Sequence, residues 1–267
     1  MLAYSLFERH DGYAFAYKVL GRNQRATPLV LVHGLSAVGL VDWLPLAQSL
    51  AEHRPVLIFD NRGIGASTVP RERADEPYDV RDMARDVVEL VNHLGWKEID
   101  LLGFSMGGMI AQTVLVSPSL PFKIRHLVLA ATSAKPAHSD LLQAIPSPPP
   151  GPMSYEQKVE LVKPFIYVGY DPAFVQNPQN KPLLDRRIRE SVETRRPART
   201  VRSVYYSEAK YILRGLPHAQ LLSFEGIGHM WYDYFDVQYW TTLLHRFLSD
   251  QEVASLVPPA QPSLAKL

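Results

Sequence analysis

The stretch "IDLLGFSMGGMIAQTVLV", residues 99–116, decides how the rest of the chain is read. Its first part, "IDLLGF" (99–104), is a short apolar run that suits a strand buried on both faces. Its last part, "MIAQTVLV" (109–116), has the length and composition of an apolar helix opening. Between them sits "GFSMGG" (103–108), with Ser105 flanked by glycines. A serine at a sharp strand-to-helix turn takes a strained conformation, so its near neighbours must lack side chains. The amides and dipole at the start of the following helix then favour negative charge developing beside it. Ser105 is therefore the candidate nucleophile, and the rest of the chain must supply its partners.

Working outward, the strand pattern recurs in "PLVLVHG" (28–34), "PVLIFD" (55–60) and "IRHLVLAA" (124–131). Residues 80–94, "VRDMARDVVELVNHL", place Met83, Val87, Leu90, Val91 and Leu94 on one helical face, and Gly95 marks the stop. Strand and helix alternate from residue 28 to 132, which predicts an α/β protein with a parallel sheet and right-handed crossovers. In front of it, the runs Tyr4–Arg9 and Tyr13–Val19 flank Asp11-Gly12 and read as a hairpin. Functional groups collect beyond the carboxyl ends of parallel strands. Those ends are His33-Gly34, Asp60-Asn61 and Phe104-Ser105.

Residues 133–205 break the rhythm with "PSPPPGP" (146–152) and arginine-rich amphipathic segments, and read as an inserted helical cap. Regularity returns with a strand at "AQLLSFEG" (219–226) and a helix at "VQYWTTLLHRFL" (237–248). The expected division is a core of residues 1–132 and 206–250, a cap of 133–205, and a flexible proline-containing tail of 251–267.

Composition narrows the function. The chain has 267 residues, a formal net charge of +1 and no cysteine. Disulfides, thiolate catalysis and zinc–thiolate sites are excluded, and the charge balance points to neither nucleic acid nor a membrane surface. No apolar run reaches the roughly 20 residues of a membrane span. The N-terminus lacks the pattern of a secretory signal, so an intracellular protein is expected.

Taken together, His33-Gly34-Leu35, "DNRGIGAS" (60–67), "GFSMGG" (103–108) and "GIGHM" (226–230) resemble the α/β-hydrolase family, in its order and over nearly the whole chain. The resemblance implies a mostly parallel sheet with helices on both faces and an inserted helical cap. It assigns Ser105 as nucleophile, His229 as base, and the amides of Leu35 and Met106 as the oxyanion hole. His33 matches the family's structural histidine. His10, His53, His93, His126, His138, His218 and His245 lack such context. No metal and no cofactor is implied.

The third member of a triad is the difficulty. A carboxylate should hold the histidine's tautomer and stabilise its protonated form. The family's usual position corresponds to residues 199–204, "RTVRSV", which hold no carboxylate; the alternative, Ala130-Ala131-Thr132, holds none either. A strand and its acid-bearing loop are missing from the pattern. Glu208 is the nearest substitute, with Glu225 and Asp233 flanking the histidine loop.

Two functional expectations follow. The first is a serine hydrolase of the esterase, lactonase or thioesterase kind, acting on a small acyl substrate. The second is a catalytically impaired hydrolase-fold protein that binds a small molecule or partner. Eight basic residues against three acids over 181–202 suit either a solvated helix face or the attraction of an anionic substrate. Trp43, Met106, Met109, Met230 and Trp231 suit either an acyl pocket or the core. The final Ala265-Lys266-Leu267 resembles a peroxisomal import tripeptide, which implies an import receptor as partner, with a cytoplasmic location as the alternative. The resemblance also reaches fungal peroxisomal hydrolases of secondary-metabolite and toxin pathways.

Overall fold

The computed structural model describes residues 3–35, 37–132, 149–194, 204–205, 224, 227–253 and 256. Six strands form the main sheet in the order β1-β2-β4-β3-β6-β7. They are β1 (Ser5–Glu8), β2 (Ala14–Leu20), β3 (Leu29–Val32), β4 (Val56–Phe59), β6 (Glu98–Phe104) and β7 (Lys123–Ala130). The first two pair antiparallel, as the Asp11-Gly12 turn predicts, and β2 pairs antiparallel with β4. From β4 through β3 and β6 to β7 the strands are parallel.

The short apolar runs are buried on both faces because the sheet is covered on both. Leu29, Leu31, Val56, Ile58, Leu102 and Phe104 face one layer. Their immediate neighbours Val30, Val32, Leu57, Phe59, Ile99 and Leu101 face the other. The second layer is built by α3 (Val80–His93) and α4 (Met106–Leu115). The first includes α1 (Gly39–Asp42), α2 (Leu44–Leu50) and α8 (Val237–Phe247). Helix α3 starts with a reciprocal cap: Asp79 accepts from the amides of Arg81 and Asp82, while Asp82 accepts from the amide of Asp79. Such a cap stabilises the helix by about 1 kcal/mol.

Between β7 and the histidine loop the described chain is mainly helical, with α5 (Tyr155–Tyr167), α6 (Pro172–Gln176) and α7 (Lys181–Glu193). A two-residue strand β5 (Tyr78–Asp79) pairs in parallel with β8 (Val204–Tyr205). The strand expected at 219–226 lies outside the described residues apart from Phe224, as do most of the proposed tail and the cap stretches 133–148 and 195–203.

Among the described residues the main sheet ends at β7, whose residues are half-buried or exposed where those of β6 are mostly buried. Beside this edge lies an apolar hollow of about 240 Å³, between Leu127–Ala131 of the strand and Trp240, Leu243, Leu244 and Phe247 of α8. Among the described residues no strand pairs with the outer side of β7.

Candidate active site

Ser105 stands at the end of β6 with φ 55° and ψ −123°, a left-handed conformation that costs a non-glycine residue roughly 1–3 kcal/mol. The turn is tight enough that only glycine fits on either side. A Cβ on Gly103 would lie 2.3 Å from the Gly107 carbonyl oxygen, and one on Gly107 would lie 2.1 Å from that of Val32. The strained turn is held by its neighbour strand. The Ser105 amide donates to the Ala130 carbonyl at 3.0 Å, and the Ser105 carbonyl accepts from the Gly108 amide at 2.9 Å. The Thr132 hydroxyl donates to that same carbonyl at 2.6 Å. Thr132 thus stands just beyond the strand, at the alternative acid position, and donates to the backbone of Ser105.

His33 does the structural work that the resemblance implies. Its Nε2 accepts from the Asn61 amide at 2.9 Å, so Nδ1 carries the proton and donates to the Gly34 carbonyl at 2.8 Å. Asp60 accepts from the amides of Leu40 and Ala66 at 3.0 and 2.9 Å. These buried groups hold the loop bearing Leu35 next to the turn: Gly34 lies so close that a Cβ on it would sit 3.0 Å from the Ser105 Cβ. Met106 is the first residue of α4, where backbone amides have no partner within the helix.

His229 arrives from 124 residues further along, and its Nε2 lies 2.8 Å from Ser105 Oγ. With Nδ1 protonated, Nε2 accepts the serine hydroxyl hydrogen. Burial lowers the His229 pKa below its ordinary 6.5, because the charged imidazolium loses water. Its ring packs against Phe104 at 5.0 Å. Among the described residues no carboxylate is hydrogen-bonded to it. Asp233 instead pairs with Arg187, and Glu208 and Glu225 lie outside the described residues.

A cavity of about 60 Å³ opens over the pair, walled by Leu35, Phe104, Phe165, Ile166, Met230 and Tyr232, with Arg187, Glu190 and Asp42 as its charged members. Of the five residues considered for an acyl pocket, Met230 lines this cavity. Trp43, Met106 and Met109 belong to the core, and Trp231 faces the edge hollow. The basic run over the cap is largely paired where it is described: Lys181 with Asp185, Arg186 with Glu190, and Arg187 with both Asp233 and Glu190. The sequence gives no sign of Phe165 and Ile166, and it presents Arg187 and Glu190 only as members of the charged run over 181–202, since helical periodicity does not say which face meets a distant site.

The remaining histidines with described partners serve packing: His126 bridges Asp100 and Asp250, and His93 stacks on Phe7. Among the described residues no group of three or more metal-ligating side chains converges, and no helix is long and apolar enough to cross a membrane.

Known proteins resemble this chain over parts of its length. A proline iminopeptidase of Lactobacillus crispatus is 32% identical over 123 residues, which cover 45% of this chain and 41% of that protein. The serine hydrolase BPHL of Mus musculus is 31% identical over 131 residues, covering 49% of this chain and 43% of its own. The match thus spans less than half the length of these curated relatives. An esterase from Exiguobacterium antarcticum shares the fold with a TM-score of 0.66 at 20% identity, over 92% of this chain and 99% of that one. The profile of the alpha/beta hydrolase fold family matches residues 27–228, from the strand before His33 to the glycine before His229. With its sheet order, its strained serine turn and that match over most of its length, the chain belongs to the alpha/beta hydrolase fold family.

Proposed function

We propose that this protein is a serine hydrolase that cleaves an ester, lactone or thioester of a small acyl substrate. The observation that carries the reading is the 2.8 Å approach of His229 Nε2 to Ser105 Oγ at a strained turn. In the proposed reaction Ser105 Oγ attacks the acyl carbon while its proton passes to His229 Nε2. The carbonyl oxygen becomes an oxyanion held by the amides of Leu35 and Met106, each worth about 3–4 kcal/mol in comparable sites. The bond to the leaving group then breaks, and the leaving group takes the proton from His229. Water attacks the acyl-Ser105 in the second half, and the same groups act in reverse. The mainly apolar wall from Leu35 to Tyr232 suits an acyl chain, and helices α5 and α7 serve as its cap. The relatives named as serine hydrolase, esterase and peptidase support acyl transfer as the class of chemistry.

A serine-directed fluorophosphonate probe tests this. It should label the wild type and neither Ser105→Ala nor a denatured control; an unlabelled wild type sinks the reading. Activity on p-nitrophenyl acetate, a γ-lactone and an acyl thioester would then rank the three bond types. The second reading, an impaired hydrolase-fold binder, is motivated by the lack of a carboxylate on His229 among the described residues. Turnover of any of the three substrates that disappears in both Ser105→Ala and His229→Ala removes it.

We also propose peroxisomal import through Ala265, Lys266 and Leu267, which lie outside the described residues, and with it a role in secondary metabolism. A fluorescent protein carrying the last twelve residues should collect in peroxisomes; a diffuse signal refutes the import reading.

A further inference from the structure

Among the described residues, the loop that carries His229 holds one 3-10 turn at Trp231–Asp233 and little other regular structure. A 2.8 Å contact with Ser105 nevertheless requires that the loop be held within a fraction of an ångström. Its anchors lie in the cap. The Met230 amide donates to the Gly169 carbonyl at 2.9 Å. A Cβ on Gly228 would fall 2.6 Å from the Tyr170 Cα, so the two backbones are in direct contact. The Asp171 amide donates to the Tyr234 hydroxyl at 2.6 Å.

At the centre of these contacts is Asp233, only 7% exposed. Arg187 of α7 grips it with two parallel bonds, Nη2 to Oδ1 at 2.6 Å and Nε to Oδ2 at 3.0 Å. The Tyr170 hydroxyl donates to Oδ2 at 2.6 Å. The same guanidinium lies over the Tyr232 ring at 5.4 Å. Tyr232 meets Phe104 edge-on at 5.5 Å, and Phe104 packs on the His229 ring at 5.0 Å. A continuous set of packed groups therefore runs from α7 to the base.

We propose that Asp233, Arg187 and Tyr170 are positioning residues that hold His229 in register with Ser105 from the cap side. Asp233 acts through the loop and not as the acid of a triad: its bonds go to Arg187 and Tyr170, and none goes to the imidazole. A bidentate buried pair is also the right device for this task. It fixes direction as well as distance, and removing one partner strands the other's charge. The inference rests on the Ser105–His229 reading above.

The test uses the full chain and the second-order rate constant of fluorophosphonate labelling at Ser105, with the final extent of labelling as the count of folded sites. Misfolding lowers the extent, whereas mispositioning lowers the rate. Asp233→Asn and Arg187→Met should each slow labelling by about 100-fold, the cost of an ångström-scale displacement. The double variant should be no slower than the slower single variant, since both break one lock. The acid limb of the pH–rate profile should stay where it is in all three. Rates equal to wild type, losses that multiply in the double variant, or a displaced acid limb would each overturn the proposal. If those variants do not fold, Tyr170→Phe decides: it removes one hydroxyl and should slow labelling about fivefold, and an unchanged rate overturns the lock. A wild type that labels through Ser105 and His229 while all these variants match it defeats only this inference. A wild type that does not label defeats the reading beneath it as well.

Discussion

The two halves of the site are held in opposite ways. Ser105 is fixed mainly by backbone: the strand before it, the helix after it, its amide's bond to the Ala130 carbonyl, and the bonds its carbonyl accepts from the Gly108 amide and the Thr132 hydroxyl. His229 sits on a loop held from the cap by backbone contacts to Gly169 and Tyr170 and by side chains, with Arg187 and Tyr170 46 and 63 positions before the Asp233 they hold. Ser105, the proposed nucleophile, therefore belongs to the sheet, and His229, the proposed base, belongs to the junction of loop and cap. Local backbone geometry tolerates little change in sequence, whereas side-chain anchoring can be rebuilt in several ways.

Several measurements would break or sharpen this contrast. The largest effect makes the halves equal: Ser105→Ala and His229→Ala should each lower kcat/KM by about 10⁴-fold or more, since members of such a unit fail together. A His229→Ala variant retaining a tenth of the activity would show that the base half is dispensable. Next, Gly107→Ala pushes a Cβ to 2.1 Å from the Val32 carbonyl oxygen. It should cost about 3 kcal/mol in urea unfolding, because the backbone on both sides must move. A loss below 1 kcal/mol would contradict the backbone-held picture of the nucleophile.

The acid limb of kcat/KM separates the halves electrostatically. Burial disfavours the charged form of His229, and the reaction needs the neutral form, so activity should rise with pH through a midpoint below 6.5. A midpoint above 6.5 would reveal a carboxylate acting on Nδ1. The smallest effect concerns Thr132. Thr132→Val keeps the shape but removes the donor to the Ser105 carbonyl, and should slow acylation about fivefold, or about 1 kcal/mol. An unchanged acylation rate would mean that the Ala130 and Gly108 bonds hold the turn without it.

Much of this was legible in residue order alone. The runs 28–34, 55–60 and 99–104 are the central parallel strands, buried between two helical layers as continuous short apolar segments suit, and 124–131 pairs beside them as the outer described strand. Helix α3 ended within one residue of its expected limit, before Gly95. The nucleophile was legible for the same reason: strand, turn and helix are adjacent in the chain, so spacing encodes their geometry. The cap wall of the cavity was not. Phe165, Ile166, Arg187 and Glu190 lie on helices whose orientation depends on partners far away in sequence. In the sequence Asp233 is only a flank of the histidine loop; the structure gives it bonds to Arg187 and Tyr170.

By itself the sequence determined the parallel strands, the turn at Ser105, the His33-Gly34 strand end beside it, and the lack of a carboxylate at residues 130–132 and 199–204. Each of these is a local property, set by periodicity, by glycine where no side chain fits, or by residue identity at one position. Only the tertiary structure decided that His229 meets Ser105, that the cap supplies its anchors, and that the sheet edge at β7 borders an apolar hollow. Those depend on contacts across tens to more than a hundred residues, where side-chain direction and loop path, not spacing, determine which groups meet.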